Sequence, residues 1–415
     1  MRRRLLLIAW MVFATAFAQR AAAVDWYVAL DGTGSGTSGW ANATNDLQGA
    51  IDACSKGDMV WVSNGVYQTG GRIGYPAGSV LSNRVVIAKA ITVRSLSNDP
   101  AQTVIRGNWD PDTTNGPAAV RCVYMTFNAA VGASLIGFTL TNGATLSLTG
   151  TVGDDQRGGG IFAYSSWGSM VISNCVIAGN SAAGQGGGAY GGVLYDSVIA
   201  GNAVRTDSPN YNSGAGGGVC AAGKLYDCLL TGNSGSYGSA ASGGTLTKCL
   251  VVSNMSAYAV YAGTLYNCLI VSNTASYAVR AGTLYNCTVA NNKGCGLYYS
   301  EIAASNCIVY FNKSGNYSSL NKPMAYCCTT PAQTNWVSGD GNITNAPSFV
   351  NSAAGDYRLN RDSPCINTGT NGSWTTGVSG FDFDGHRRID TFSGLVDMGC
   401  YEYEYLFRGT IWTVR

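Results

Sequence analysis

Short apolar runs, each ended by Gly or Asn, recur along most of the chain. One unit contains the runs Ala259-Val260-Tyr261, Thr264-Leu265-Tyr266 and Cys268-Leu269-Ile270-Val271. A helix in a globular protein needs about 10 to 12 residues, which these units cannot supply. The pattern therefore predicts three short β-strands per unit, joined by tight corners.

The unit repeats with a nearly constant period. The segment from Gly263 to Cys268 (GTLYNC) returns unchanged 19 residues later, from Gly282 to Cys287. The repeated units share a column of cysteines at Cys175, Cys228, Cys249, Cys268, Cys287 and Cys307. Five residues after each of these, and after Ser197, stands an asparagine: Asn180, Asn202, Asn233, Asn254, Asn273, Asn292 and Asn312. Most successive asparagines are 19 to 22 residues apart.

Three short strands per coil of 19 to 22 residues predict an all-β fold, a single-stranded right-handed parallel β-helix. Coils would stack about 4.8 Å apart, so about ten coils between residues 120 and 330 would form a rod roughly 50 Å long. The cysteines are expected to point inward as free thiols, because stacked Cβ atoms about 4.8 Å apart exceed the ~3.8 Å typical of a disulfide. The asparagines are expected to form a hydrogen-bonded ladder at a corner.

The chain divides into four parts on these patterns. Residues 1–23 have a basic start, an apolar core and small residues, which predict a cleaved export signal. Residues 24–70 predict a strand and a capping helix that begins after Thr44 or Asn45 and ends at Gly57. The β-helix is assigned to 71–345, and an irregular terminal cap to 346–415.

Two sets of motifs resemble known proteins. The segments GGGIF (158–162), GGGAY (186–190) and GGGVC (216–220), together with the x-x-[GS]-N corners, resemble repeats of chlamydial polymorphic outer-membrane proteins. They also resemble secreted bacterial β-helix proteins of the pectin-lyase-like group. The terminal motifs SPCINTG, FDFDGHRRI and VDMGCYEY resemble the choice-of-anchor type of ending. The resemblance implies a secreted or cell-surface β-helix protein and says little about activity.

Charge and cysteine content narrow the function classes. The chain has 25 Lys and Arg against 23 Asp and Glu, and loss of the four arginines in the export signal would leave a slightly acidic protein. A nucleic-acid partner is therefore not expected. A zinc site is not expected either, because there is one His and no C-x2-C pair. Cys365 and Cys400 could form a bridge within the terminal segment. Asp382 and Asp384 resemble the opening of a calcium loop, but the third acidic position and the distal Glu are missing, so they are expected to pair with Arg387 and Arg388.

Charged residues interrupt a column of asparagines immediately before the cysteines. Asp196, Asp227 and Lys248 would occupy three consecutive coils. Two stacked carboxylates could hold Ca²⁺, and a neighbouring lysine could abstract a proton from an acidic sugar. The alternative is that Asp replaces Asn because both form tight corners, with Lys248 relieving the negative charge.

A tyrosine stripe stands two residues before the cysteine column, at Tyr195, Tyr226, Tyr266 and Tyr285. These side chains are expected to face outward, where they could stack on sugar rings. The alternative is that they pack on one another and stabilise the sheet.

The leading hypothesis is an exported, non-enzymatic surface or matrix protein, expected to be a monomer, that binds glycans or surface components along its side without a cofactor. The second is a calcium-assisted polysaccharide lyase that uses Asp196, Asp227 and Lys248. The third is a structural spacer. No transmembrane segment is expected in the mature chain.

Overall fold

The computed structural model describes residues 23–126, 132–148, 150–163, 170–205, 215–221, 223–298, 302–318, 324–332, 341–372, 380–391 and 393–404. Within them, three parallel sheets form the three sides of a β-helix, and each coil contributes one short strand to each sheet. The prediction of an all-β parallel β-helix with three strands per coil is confirmed. No helix among the described residues is long and apolar enough to cross a membrane.

The first sheet carries the tyrosine stripe on its outer face. Its described strands are Asp25–Val28, Met59–Val62, Thr92–Ser95, Ser134–Ile136, Val171–Ser173, Val193–Tyr195, Lys224–Tyr226, Thr245–Thr247, Thr264–Tyr266, Thr283–Tyr285 and Ala303–Ser305. Leu246, Leu265 and Leu284 pair in register and are fully buried. These three coils thus stack one buried leucine directly on the next.

The second sheet follows the first after a one-residue corner. Its described strands are Gly65–Tyr67, Thr103–Arg106, Thr139–Thr141, Val176–Ala178, Val198–Ala200, Leu229–Thr231, Leu250–Val252, Leu269–Val271, Thr288–Ala290, Ile308–Tyr310 and Cys328–Thr329. Val251, Ile270 and Val289 pair in register and fill the core from this side.

The third sheet closes each coil. Its described strands are Ser82–Ile87, Val120–Met125, Ile161–Ala163, Ala189–Gly191, Val219–Cys220, Ala241–Ser242, Tyr258–Tyr261, Tyr277–Arg280, Cys295–Tyr298 and Tyr317–Ser318. The Gly-Gly-Gly corners lie just before this sheet. Glycine is needed there because Gly186 has φ 65° and a Cβ on Gly187 would lie 2.2 Å from the Ala203 carbonyl oxygen. A side chain at either position would strain or displace the backbone.

Several short elements lie outside the three sheets. The helix α1 spans Leu47–Ala53, and Leu47, Ala50 and Ile51 on its inner face join the core at the start of the rod. The remaining described elements are the parallel pair Ser181–Ala182 and Ala203–Val204, the antiparallel pair Phe349–Asn351 and Asp356–Leu359, and the 3-10 turns Trp40–Asn42, Asp154–Gln156 and Ser352–Ala354.

The start and end of α1 differ from the prediction. Asp46, rather than Thr44 or Asn45, caps the helix: its carboxylate accepts the Gly49 N–H at 2.8 Å. The helix stops at Ala53, before Gly57, because Cys54 turns to an extended conformation. Thr, Asn and Asp all favour this position, so residue type alone does not favour the predicted Thr44 or Asn45 over Asp46.

The cysteine column lies in the core between the first two sheets. The fourteen cysteines are all buried free thiols. Two thiols of the column accept a backbone N–H from the neighbouring coil: the Cys268 N–H donates to Cys287 Sγ at 3.5 Å, and the Cys287 N–H donates to Cys307 Sγ at 3.4 Å. Ser197 does the same with its hydroxyl, which accepts the Cys175 N–H at 3.2 Å. This shared acceptor role explains why serine replaces cysteine in one coil.

The asparagine column forms a continuous ladder at the next corner. In Asn254, the backbone N–H and the side-chain amide both donate to Asn273 Oδ1, at 3.0 and 3.1 Å. The same amide also donates to the Leu230 and Val252 carbonyls. The pattern continues to Asn312, which donates to Asn316, a further member that the sequence period did not reveal.

The terminal segment, from about residue 341, packs along the side of the last coils. Outward residues of the second sheet, such as Leu269 and Ile308, are buried beneath Tyr357, Leu359 and Met398. The apolar outer face of these coils is therefore core, shared with the terminal segment.

The two terminal cysteines occupy different clusters under this segment. Cys365 packs in the cluster with Cys328, whose thiol donates to the Asn345 carbonyl at 3.1 Å. Cys400 packs in the other cluster, and its N–H donates to the Thr288 hydroxyl at 3.1 Å. The bridge between Cys365 and Cys400 that the sequence left open is therefore absent from the structure, and both are free thiols.

Buried charges hold the terminal segment together. Arg388 is fully buried and donates to Glu402 at 2.9 Å and to the Asp397 carbonyl at 2.8 Å. Asp382 and Asp397 are also buried, and each carboxylate accepts two backbone N–H groups. The expected pairing of Asp382 and Asp384 with Arg387 and Arg388 is wrong, because Asp384 pairs with Arg358 at 2.6 Å.

Candidate functional site

The corner between the first and second sheets is a single residue in the left-handed region. Its φ is 47° at Asp196, 52° at Asp227 and 52° at Lys248. The asparagines of the column have the same conformation, from 49° at Asn174 to 54° at Asn306. Asn and Asp tolerate this region better than other non-glycine residues, which accounts for most of the column. Lysine has no such tolerance for a positive φ, and the contact that the structure shows for Lys248 is its ion pair with Asp227.

Asparagine stands at the corner where another segment of the chain covers it. The Asn174 amide donates to the Asn98 carbonyl at 2.6 Å, near the start of the rod. In the later coils, the Asn267 amide donates to the Phe381 carbonyl at 2.9 Å, and the Asn306 amide donates to the Thr370 carbonyl at 2.8 Å. These side chains therefore dock neighbouring segments onto the rod.

Charged residues stand at the corner where it faces solvent. Asp196 and Asp227 are exposed, and Lys248 is half-buried. The Lys248 Nζ atom lies 2.7 Å from Asp227 Oδ1. Asp196 forms no side-chain hydrogen bond or ion pair within the described residues. We call these three positions the open corner; they lie between the coil covered at Asn174 and the coil covered at Asn267.

Two of the four stripe tyrosines lie beside the open corner. The rings of Tyr195 and Tyr226 stack with centroids 4.9 Å apart and planes 9° from parallel. Tyr195 is 36% exposed, and its partner in the preceding strand is the small Ser173. One ring face of Tyr195 is thus covered by Tyr226, whereas on the Ser173 side no aromatic ring of the described residues contacts it.

The other two tyrosines form a separate pair. The rings of Tyr266 and Tyr285 stack at 5.2 Å and 16°. Thr247 lies between the two pairs and is only 3% exposed, so neighbouring side chains close the gap. The stripe is therefore two stacked pairs, and much of its ring area faces other tyrosines. This arrangement stabilises the sheet in the way the alternative interpretation expected.

The open corner supplies few metal ligands. A calcium ion in a protein takes six to eight oxygen ligands, and Asp196 and Asp227 would supply only part of such a set. Among the residues that the structure describes, no three His, Cys, Asp or Glu side chains come together as metal ligands. Lys248 already donates to Asp227, so this pair would have to separate before the lysine could act as a base.

A second aromatic surface, on the outer face of the third sheet, was missed in the sequence. Tyr258 stacks on Tyr277 at 5.6 Å, and Tyr277 stacks on Tyr298 at 4.1 Å. The Arg280 guanidinium lies over Tyr258, 4.7 Å from the ring centroid. The signal available in the sequence is the 19-residue offset of Tyr258 and Tyr277.

The architecture can be compared with solved structures. It aligns with the pectate lyase Pel9A with a TM-score of 0.55 and 13% sequence identity, over 92% of this chain and 96% of the lyase. Its fold is similar to that of a pectate lyase. Lower similarity is found to the A-module of the mannuronan C-5 epimerase AlgE4 from Azotobacter vinelandii (TM-score 0.41, 13% identity, 68% and 81% covered) and to a rhamnogalacturonan lyase (0.41, 11%, 79% and 91%).

These comparisons confirm the pectin-lyase-like resemblance at the level of fold. At such identities they do not extend to activity or to site residues. The chain matches no protein-family model, and its sequence matches none of the curated proteins. Export, the polymorphic outer-membrane type of repeat and the choice-of-anchor ending stay predictions.

Proposed function

We propose that the protein is an exported, non-enzymatic β-helix protein that binds neutral glycans at the open corner, with Tyr195 as the stacking platform. The observation that carries the proposal is the position of Tyr195 at the end of its stack. Its ring is exposed, and on the side of Ser173 no described residue places an aromatic ring against it. A sugar ring can place its apolar face on an aromatic ring of this kind.

The charges around Tyr195 select the kind of glycan. Because Asp227 is paired with Lys248, Asp196 is the remaining acceptor beside the ring. An ionised carboxylate accepts hydrogen bonds from hydroxyl groups and repels a second carboxylate. The site therefore favours sugars that offer hydroxyls over uronic acids. The solved structures that share the fold include polysaccharide lyases, which supports a glycan ligand without specifying it.

The stacked geometry gives the four tyrosines different roles. Tyr226, Tyr266 and Tyr285 are assigned mainly to packing, and Tyr195 to binding. We expect Tyr195→Ala to weaken glycan binding about fivefold, which corresponds to about 1 kcal/mol of lost stacking. Tyr195→Phe should retain binding, and the matched variant Tyr285→Ala should leave it unchanged. Glycan-array or cell-wall pull-down binding measures the effect.

Circular dichroism of each variant provides the folding control, because the inward leucine and cysteine columns are untouched. Unchanged binding by folded Tyr195→Ala would remove the platform. If the wild type binds no glycan, the rod is better described as a structural spacer.

The lyase alternative rests on the proximity of Asp196, Asp227 and Lys248 in three consecutive coils. We expect calcium and a chelator to give the same melting temperature for the wild type and for the double variant Asp196→Asn/Asp227→Asn. We also expect no unsaturated product from uronic-acid polysaccharides, measured by absorbance. A calcium-dependent rise in melting temperature that the double variant loses, together with product formation, would establish the lyase instead.

A further inference from the structure

A cleft lies at the amino-terminal end of the rod, far along the chain from the open corner. It has a volume of about 390 Å³ and lies between the start of α1 and the first strands of the second and third sheets. Small-molecule sites in proteins are about 300 to 1,000 Å³ and combine an apolar surface with a few polar groups. The cleft has room for one or two sugar rings.

The floor of the cleft is apolar and belongs to the core. Leu47, Tyr67 and Val85 line it and are each less than 8% exposed. Leu30 lines the rim and is 50% exposed, which is unusual for a leucine in this protein. The floor therefore offers a rigid apolar surface to one face of a ligand.

A half-buried guanidinium lies at one side. Arg84 Nε donates to the Arg106 carbonyl at 2.9 Å, and Nη1 donates to the Gly70 carbonyl. These bonds fix the group while Nη2 makes no hydrogen bond within the described residues. No described carboxylate forms an ion pair with Arg84. Burial lowers the pKa of Arg84 from its usual value, as expected of a cation that lacks a counter-ion.

Groups that suit hydroxyls complete the lining. The Asn45 amide and the Thr69 hydroxyl make no side-chain hydrogen bond in the part of the chain that the structure describes. Asp46 uses Oδ1 to accept the Gly49 N–H at 2.8 Å, which leaves Oδ2 as an acceptor. By contrast, Gln48 is fully engaged: its amide exchanges two hydrogen bonds with the Val86 backbone, at 2.8 and 3.0 Å.

We propose that this cleft binds a small sugar acid, whose carboxylate pairs with Arg84 and whose hydroxyls bond to Asn45, Asp46 and Thr69. The carbohydrate ring would lie on the floor formed by Leu47 and Tyr67. A neutral sugar would leave the guanidinium without an anion, and a simple anion would leave the floor and the hydroxyl-binding groups unused. The cleft therefore recognises both features in one molecule.

The test is titration of the full chain with galacturonate, galactose and inorganic phosphate, followed by calorimetry or ligand-observed NMR. Galacturonate should bind, and galactose should bind about tenfold more weakly, because the charge-assisted hydrogen bond to Arg84 is lost. Arg84→Gln should weaken galacturonate binding about tenfold as well. The control Arg361→Gln changes an arginine whose side chain is 78% exposed, and should have no effect.

A second variant is needed because Arg84→Gln also removes the hydrogen bonds from Arg84 to the Arg106 and Gly70 carbonyls. Thr69→Trp adds bulk at the rim without removing a buried contact, and should block galacturonate while the melting temperature stays unchanged. Tyr195→Ala should leave this binding intact, since it belongs to the other site. Absence of galacturonate binding, or equal binding by both cleft variants and the wild type, would overturn the proposal. Equal affinity for galactose, or full competition by phosphate, would overturn the assignment to a sugar acid.

Discussion

Replacing Asn273 with alanine is expected to lower the free energy of unfolding by about 3 kcal/mol or more. Asn273 Oδ1 accepts the backbone N–H and the amide of Asn254, and its own amide donates to the Val251 and Val271 carbonyls and to Asn292. Alanine would leave the buried Asn254 N–H without a partner. Each orphaned buried group costs about 1 to 3 kcal/mol, and a cavity adds to it.

The neighbouring residue supplies the control. Thr274 is exposed and makes one long hydrogen bond of 3.4 Å, so Thr274→Ala should change stability by less than about 0.5 kcal/mol. Denaturant unfolding followed by circular dichroism measures both variants. Equal midpoints would mean that the ladder contributes little to stability and that the sheets alone hold the coils in register.

Replacing Arg388 with methionine is expected to release the terminal segment, at a cost of about 3 to 5 kcal/mol. Arg388 is the buried cation beside Glu402, with Asp382 and Asp397 close to it. Without it, buried carboxylates face one another with no compensating charge. The double variant Arg388→Met/Glu402→Met should recover much of the loss, because it removes a carboxylate together with the cation.

The pH dependence of this defect follows from the carboxylates. Burial raises the pKa of Asp397 to about 6 and that of Glu402 to about 9, so Asp397 is the one of the two that loses its proton in the folded state between pH 5 and pH 8. A carboxyl with a raised pKa favours the folded state when it is protonated, so its contribution is lost as the pH rises through the folded-state pKa. The deficit of Arg388→Met should therefore be smaller at pH 5 than at pH 8. Limited proteolysis of the terminal segment measures its release. The control is an unchanged circular dichroism spectrum, which shows that the β-helix stays folded. A deficit independent of pH would contradict the charge explanation.

The repeat made the coil predictable, because in a β-helix residues that touch across coils are also separated by a fixed distance along the chain. Leu265 and Leu284 are 19 residues apart and directly paired, so the sequence repeat predicts a tertiary contact. The same reasoning placed the strands and the inward residues of this part of the fold. It misplaced the cap of α1 at Thr44 or Asn45 instead of Asp46, since all three residue types suit that position.

The segments that pack over each coil could not be predicted, because their contacts do not recur at a fixed spacing along the sequence. Asn267 meets Phe381 across 114 residues, and Asn174 meets Asn98 across 76. The alternative interpretation of the corner treated Asp and Asn as interchangeable there. The structure separates them by environment: the asparagines that dock other segments donate hydrogen bonds, which aspartate cannot do. That the corner beside Tyr195 and Asp196 is left uncovered could therefore be seen only in the three-dimensional structure.

The constant spacing between the cysteine column and the asparagine ladder also determines where the rod tolerates extra residues. The interval from each column cysteine, or Ser197, to the following asparagine is five residues in every repeat, whereas successive asparagines are 19 to 31 residues apart. All length variation therefore falls after the asparagine and before the next coil returns to the cysteine column. An insertion in the five-residue interval would shift a buried thiol and a ladder amide out of register together. New loops, whether evolved or grafted, are confined to the remaining flank, which makes this rod a scaffold with one closed edge and one variable edge.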